Sequence, residues 1–448
     1  MRCRNISLLV WGKYIRIIIL GGRYPQPNPL EKLKGGKDMC SICGGRKFDQ
    51  EAIQVFNRAL DRGRDYSNIF YRKGSWICNH RAVPTTEVES SEFNQPFGTD
   101  YKIVHNGTIA NDKELGNKEG MIDSYIISKV LDFSNIYTLQ KSIQKLKGSY
   151  ALAIMKPNGH FYLACNYKPI FYANPGKENF IFSSYKNHLE GIENVKRLEP
   201  YSILDEETGE SLPIPREDTG KAAVVCSGGL DSTAVAAYTC AKYGAKNTIL
   251  LHYQYGCIAE SKELECIKKI AEYLGCDYKV IPIDMSFMNK QSALFGDKKD
   301  IKDGIEGAEY AYEWVPARNL IMLSLAVGFC EANGYSHILL GTNLEEGGAY
   351  PDNENQFIKD FNSCLYGAVQ NGKYVDIETP VGNLMKHEIV AFGNEYNAPF
   401  QYTWSCYRDG DEPCHHCGPC FMRETAFRRN GLIDPLCEKK TEEDYDNE

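Results

Sequence analysis

The sequence predicts two α/β domains of different construction in one chain: a stacked antiparallel α+β domain, then a doubly wound, parallel-sheet domain. Three observations carry this. Over residues 39–204, short runs of alternating apolar and polar residues succeed one another as hairpins would, with few helical stretches between them. From residue 222 onward, strand and helix patterns alternate; the first apolar run breaks at Gly228-Gly229 and restarts with helical period over 233–243. Between the two, residues 205–220 are acidic, hold two prolines and show no apolar period, as a linker would.

Taken in order, residues 1–38 differ in character from the rest of the chain. Their apolar stretch 15–20 is interrupted by Arg16, three prolines lie at 25, 27 and 29, and no small-residue cleavage site comes after it. Neither a membrane span nor a secretory signal fits. A disordered leader, a propeptide or a misassigned start codon is expected there. From Met39 the pattern predicts a helix at 50–60, the turn Asp61-Arg62-Gly63-Arg64-Asp65, and strands at 69–71, 76–79 and 102–105. Helices at 124–130 and 139–146 come next, then strands at 149–155, 160–164, 170–173 and 180–183. The second domain continues with strands at 248–253, 279–283 and 337–341 and helices at 261–274 and 318–333. That alternation places ligands at the carboxyl ends of the strands. Residues 285–314 have weak periodicity, as expected of a cover over the site.

Composition sets the class. Of 448 residues, 43% are hydrophobic and 25% charged, which marks a globular chain with apolar mass for two cores. The net charge of −8 advertises no broad basic face for DNA or RNA. Seventeen cysteines are scattered, several within apolar runs (Cys165, Cys226, Cys240, Cys330), which suits a reducing cytoplasm better than a disulfide framework. No stretch reaches the roughly 18 apolar residues of a membrane helix. Nothing in the pattern sets the oligomeric state; a homodimer is compatible with it.

The chemistry concentrates in a few strings. At Ser227-Gly228-Gly229-Leu230-Asp231-Ser232-Thr233, glycines let backbone N–H groups approach an anion, the adjoining helix N-terminus adds partial positive charge, and three hydroxyls add donors. No lysine comes after the glycines, so this is a phosphate cradle of another kind than the Gly-Lys-Ser/Thr loop. The string resembles the pyrophosphate loop of ATP-pyrophosphatases; that resemblance implies a Rossmann-like domain that binds ATP and puts Asp231 near the pyrophosphate with Mg²⁺. Near the end, Cys406, Cys414, Cys417 and Cys420 can fold around a single tetrahedral Zn²⁺, with His415 and His416 as alternative ligands. Val315-Pro316-Ala317-Arg318-Asn319, Gly341-Thr342-Asn343, Tyr350-Pro351-Asp352, Glu378-Thr379-Pro380 and Ser405-Cys406-Tyr407 occur in the order seen in 7-cyano-7-deazaguanine synthases, and residues 221–435 resemble that family. The resemblance implies four thiolate ligands to one structural Zn²⁺, and Arg318, Asn319 and Asp352 close to a deazaguanine substrate. Tyr255-Gly256-Cys257, where the family has Tyr-Gly-Gln, and residues 345–349 depart from its pattern.

Residues 39–204 resemble a class II glutamine amidotransferase domain of the asparagine-synthetase type, on the strength of Met39-Cys40, Asn79-His80-Arg81, His105-Asn106-Gly107, Ile122-Asp123-Ser124, Gly148-Ser149-Tyr150-Ala151 and Lys168-Pro169-Ile170-Phe171-Tyr172. This implies an αββα nucleophile-hydrolase fold with Cys40 as nucleophile at a mature N-terminus, its own α-amine acting as base. Arg81 would hold the glutamine α-carboxylate, Asn106 and Gly107 the oxyanion, and Asp123 the substrate ammonium. Arg64 stands where that family has proline. Joined, the two resemblances imply a cytoplasmic ligase that uses glutamine as ammonia donor and ATP to convert 7-carboxy-7-deazaguanine to its nitrile. Two alternatives remain open. One adds ammonia to the nitrile, giving an archaeosine-type formamidine, with tRNA or DNA as partner. The other is a module that binds a deazaguanine or conjugates it to a protein.

Overall fold

The computed structural model of the chain describes residues 7–11, 14–18, 40–63, 65–82, 91–288, 292–296, 298–309, 313–347, 350–408 and 410–437. The expected leader lies outside the described residues, apart from the backbone of two short antiparallel strands, β1 (Ser7–Trp11) and β2 (Tyr14–Ile18). Arg64 and two of the departing positions, Gly348 and Ala349, lie outside them too. The chain forms two units, Met1–Arg216 and Glu217–Glu448.

The first unit runs β3 (Ser41–Gly45), α1 (Gln50–Ala59), β4 (Tyr66–Arg72), β5 (Ser75–Arg81), β6 (Lys102–Ile109), α2 (Ser124–Val130), α3 (Ile136–Ile143), β7 (Gly148–Met155), β8 (Phe161–Cys165), β9 (Phe171–Ala173), β10 (Ile181–Ser183), β11 (Lys196–Arg197), β12 (Ser202–Asp205) and β13 (Ser211–Pro213). Two antiparallel sheets result, of order β11-β9-β10-β3-β5-β4 and β13-β12-β8-β7-β6. Period-two alternation decides what each strand faces. Ile42, Ile77, Val104, Ala153 and Leu163 enter the core between the sheets. Their neighbours Cys43, Trp76 and Cys78 turn to the opposite face, where Ala52, Val55, Phe56 and Ala59 of α1 cover them at helical spacing. Helix α3 lies on β12 and β13, which completes the layers as α–β–β–α.

The expected linker begins too early. Asp205 ends β12, and Ser211–Pro213 pairs with β12 as an edge strand, so the unit boundary falls after Arg216. The acidic residues that suggested solvent are partnered: Asp205 accepts from Lys156 Nζ at 2.6 Å, and Glu206 meets His160 at 3.0 Å and Arg46 at 3.9 Å. Ion pairs of this kind leave no apolar period to read.

The second unit runs β14 (Ala222–Val225), α4 (Leu230–Tyr243), β15 (Thr248–Gln254), α5 (Glu260–Leu274), β16 (Asp277–Pro282), α6 (Gly304–Glu309), α7 (Arg318–Asn333), β17 (His337–Leu340), α8 (Leu344–Gly347), α9 (Asn355–Ala368), β18 (Asp376–Glu378), α10 (Lys386–Glu395) and α11 (Gly418–Arg429). Its sheet is parallel throughout, in the order β16-β15-β14-β17-β18. Val224, Leu250 and Leu339 face α4, α5, α10 and α11, whereas Ala223, Leu251 and Ile338 face α7 and α9. Burial on both faces is why the central strands read as unbroken apolar runs. Strand order reverses at β14, whose neighbours β15 and β17 run out to either side, so a crevice opens at its carboxyl end. Among the described residues no helix is long and apolar enough to cross a membrane.

Candidate active sites

In the first unit, Cys40 stands immediately before β3, half-buried, its Sγ donating to the Ala82 carbonyl at 3.7 Å. Pairing of β3 with β5 sets Ser41 opposite His80, which brings Arg81 to the same end of the sheet. Arg81 is buried, with its guanidinium 5.5 Å from the centroid of the Phe93 ring. Asn106 donates from Nδ2 to Ser184 Oγ at 3.5 Å, and that same oxygen accepts the Ile42 N–H at 2.9 Å. Ser184 thus ties β3, the strand that Cys40 precedes, to Asn106. Gly107 has φ +154° and lies against the Ser149 carbonyl so closely that no Cβ fits. His105 fixes the peptides around it, through Nδ1 to Ser124 Oγ at 2.8 Å and Nε2 to the Ser149 carbonyl at 3.2 Å. Burial lowers its pKa, which favours the neutral ring. Asp123 caps α2 by accepting the Ser124 N–H at 2.7 Å and reaches back to the Ile109 N–H at 2.5 Å. Cys40 and Arg81 thus lie at one end of the β3–β5 pair, Asn106 is linked to β3 through Ser184, Gly107 is next to it in β6, and Asp123, at the amino end of α2, is joined to β6 through Ile109.

In the second unit, the turn Cys226–Gly229 leaves β14 and enters α4. Gly228 takes φ +84°, and a Cβ there would fall 3.0 Å from the Glu263 carbonyl. Gly229 is the N-cap, its N–H donating to Ser227 Oγ at 3.3 Å. At the end of β17, a Cβ on Gly341 would fall 2.9 Å from Ser232 N. These glycines let two strand ends close on the amino end of a fourteen-residue helix. A cavity of about 750 Å³ opens there, lined among others by Ser227, Gly229, Leu230, Asp231, Ser232, Arg318 and Asn319. His252 Nε2, Thr342 Oγ1 and Trp404 Nε1 belong to residues of its wall and are buried without a hydrogen-bond partner among the described residues. Buried polar atoms left unmet cost free energy, so a polar occupant is part of the design.

Three predicted residues fall outside the cavity wall. Gly228, in the turn itself, does not line it. Thr233 is fully buried in α4 and does not line the cavity. Asp352 does not line it either; its Oδ2 accepts the Asn319 N–H at 2.9 Å, so it holds the first turn of α7 and thereby Arg318 and Asn319. One residue was missed. Lys386, first in α10, places Nζ 2.6 Å from Asp231 Oδ2, with both side chains mostly buried (13% and 15% exposed). A lysine at a helix N-terminus opposes the helix dipole, and that misplaced charge was the available signal.

Cys406, Cys414, Cys417 and Cys420 bring their four sulfurs within 4.8 Å of one another. Cys406 and Cys417 sulfurs are 4.0 Å apart, and backbone N–H groups reach Cys406 Sγ from residue 414 at 3.4 Å and Cys414 Sγ from residue 417 at 3.3 Å. Tetrahedral thiolate coordination at about 2.3 Å sets sulfurs nearly this far apart, so the donor set fits a metal with all four positions filled. His415 is turned away: its Nδ1 lies 2.8 Å from Glu424 Oε1. Cys417 caps α11, and from that helix Arg423 pairs with Asp434 at 2.6 Å and donates to Thr403 Oγ1 at 2.6 Å. The knuckle is therefore locked to the 400–407 segment, whose Trp404, Ser405 and Cys406 form cavity wall.

Comparison with known proteins agrees with both halves. Residues 221–431 match the family model described as queuosine biosynthesis protein QueC, and residues 80–191 match one described as a glutamine amidotransferase domain. A 7-cyano-7-deazaguanine synthase 2 from Sulfurisphaera tokodaii is 39% identical over 461 residues, covering 89% of this chain and 99% of the relative. The 7-cyano-7-deazaguanine synthase of Saccharolobus solfataricus is 42% identical, over 80% of this chain and 83% of its own. That of Koribacter versatilis is 36% identical over half of this chain and 96% of its own length. The chain belongs to the 7-cyano-7-deazaguanine synthase family, as a C–N ligase that carries a glutamine amidotransferase domain in the same polypeptide.

Proposed function

We propose that the enzyme converts 7-carboxy-7-deazaguanine to 7-cyano-7-deazaguanine with ATP and with ammonia taken from glutamine. The observation that carries the reading is the cavity in which the glycine turn, the Asp231–Lys386 pair and Arg318 converge. Carboxylate oxygen is a poor leaving group. Attack of the carboxylate on the α-phosphorus of ATP expels pyrophosphate and leaves an acyl adenylate. Ammonia then adds to the acyl carbon, AMP leaves, and the amide forms. A second ATP adenylates the amide oxygen with release of pyrophosphate; loss of both amide protons and of AMP gives the nitrile. The turn Ser227–Ser232 cradles the phosphates, Lys386 neutralises charge beside them, and Asp231 orients Lys386 and takes part in holding Mg²⁺.

The first unit supplies the ammonia. Cys40 Sγ attacks the glutamine carboxamide, Asn106 Nδ2 and the Gly107 N–H stabilise the oxyanion, and ammonia leaves as a thioester forms; water then releases glutamate. Arg81 and Asp123 bind the two charged ends of glutamine. The base is the Cys40 α-amine, so the working chain begins at Cys40; the intact mass of active protein checks this, and full glutaminase activity with residues 1–38 attached refutes it. The four cysteines hold one structural Zn²⁺, which stabilises the cavity wall.

Asn106→Ala is expected to slow glutamine hydrolysis by about 10²–10³-fold. Added ammonium salt should restore synthesis, since it bypasses Cys40. Failure of that rescue would break the division of labour between the units.

The deciding experiment incubates the protein with glutamine, ATP and either 7-carboxy-7-deazaguanine or its nitrile, and identifies products by mass. Amide and nitrile formed with AMP support the proposal. A formamidine made from the nitrile without ATP would replace it, and binding of either base without turnover would leave only a binding module.

A further inference from the structure

Glu263 lies on the first turn of α5 and lines the same cavity as Arg318. Adenylation and amide formation give it no task. It sits where three elements meet: the glycine turn, whose Gly228 packs on its backbone; the Tyr255–Cys257 turn; and the start of α7, which carries Arg318. Among the described residues, the one hydrogen bond to its carboxylate comes from Cys257 Sγ, 3.9 Å from Oε2. A thiol is a weak donor. Burial raises the Glu263 carboxyl to about 7, with the Arg318 charge opposing and Glu260 adding to the rise. The cavity therefore holds an acceptor pair that the protein leaves nearly unmet, and the Arg318 guanidinium lines the same wall. Glu313, 3% exposed and also in the wall, is a second carboxyl that burial pushes up and the Arg318 charge opposes, with its Oε1 buried and unmet among the described residues.

A guanine-type base presents a matching row along its six-membered ring: a carbonyl oxygen, then a ring N–H, then an exocyclic amine. We infer that Glu263 and Arg318 read this edge, Glu263 accepting from N1–H and the 2-amino group while Arg318 donates to O6. The inference rests on the proposed deazaguanine substrate. It also answers a problem of the shared cavity, which must admit the adenine of ATP and a second purine-like base without exchanging them. Adenine presents an amine where O6 would face Arg318 and a bare ring nitrogen where N1–H would face Glu263, so both contacts become repulsive. The departure at Cys257 from the family's glutamine lies beside this carboxylate, so it leaves the acceptor pair intact.

The test compares 7-carboxy-7-deazaguanine with the same carboxylate lacking the 2-amino group, measuring AMP release. Wild-type enzyme should favour the amino compound by about 10²-fold in kcat/KM, chiefly through KM, because the analogue leaves a buried acceptor unmet. Glu263→Gln should slow the amino compound by about 10²-fold and cut the preference below about tenfold, since its amide N–H₂ opposes the 2-amino group. Glu263→Asp, which keeps both acceptor oxygens, should retain the preference with a raised KM. Equal use of both compounds by wild-type enzyme would overturn the inference without any variant, and an undiminished preference in Glu263→Gln would overturn it as well. Wild-type enzyme that activates neither compound would sink the ligase reading itself, and this inference with it.

Discussion

Asp231→Ala is expected to reduce ATP-dependent AMP formation by about 10³-fold or more, while glutamine hydrolysis by the first unit continues. The carboxylate stands one residue inside α4, 2.6 Å from Lys386 Nζ and 3.5 Å from Asn343 Nδ2. Its removal takes the 2.6 Å carboxylate partner from a mostly buried ammonium that, under the proposed function, lies beside the phosphates. Under the proposed function, the lysine then loses the 2.6 Å partner that orients it, and the Mg²⁺ that accompanies ATP would lose a ligand. Lys386→Met should show a milder form of the defect, with the phosphate charge less well balanced and the carboxylate still present. Release of AMP and pyrophosphate at the wild-type rate by Asp231→Ala would show that the pair is structural only. Glutaminase activity measured in the same samples guards against a folding artefact, because the two units have separate cores.

Cys414→Ser carries the largest expected loss of stability. Binding of structural zinc by four thiolates is worth on the order of 10 kcal/mol, and that free energy is folding free energy for the segment that binds it. Wild-type protein should contain one zinc per chain, and the variant close to none. The thermal transition of the second unit should fall or broaden, while that of the first stays in place. The damage should also reach the chemistry. Arg423, behind the knuckle, ties α11 to Phe400 and Thr403, so release of the metal loosens the wall formed by Trp404 and Cys406. Raised KM for ATP in the surviving fraction is the functional readout. Wild-type protein that binds no metal after careful purification would refute the site, and iron in place of zinc would reassign the metal while keeping the four ligands.

Most of the architecture was legible because each layer has a period. Strand–helix alternation after residue 222, the long helix at 318–333 and the hairpin series before 204 all appear where the patterns placed them. The edge strand β18 was not read, since Asp376-Ile377-Glu378 has one apolar residue and an edge needs only one buried face. The acidic segment after Leu204 was misread for a related reason: its charges are partnered by Lys156, His160 and Arg46 from other strands, and pattern rules count charge as solvent exposure.

The sequence by itself determined which chemical groups the enzyme has. Glycines at tight turns, cysteines close enough in sequence to share a metal, and the string His105-Asn106-Gly107 are local features, set by steric limits and ligand reach over a few residues. What only the tertiary structure decided is which of these groups work together. Lys386 meets Asp231 across 155 positions, Ser184 joins Ile42 to Asn106, and Asp352 turns from the expected substrate to the backbone of Asn319. Glu263 and Arg318 come to one cavity from different helices. Such pairings depend on strand order and on the angle at which helices cross the sheet. No spacing rule records them, because a hydrogen bond is short-ranged in space and indifferent to separation along the chain.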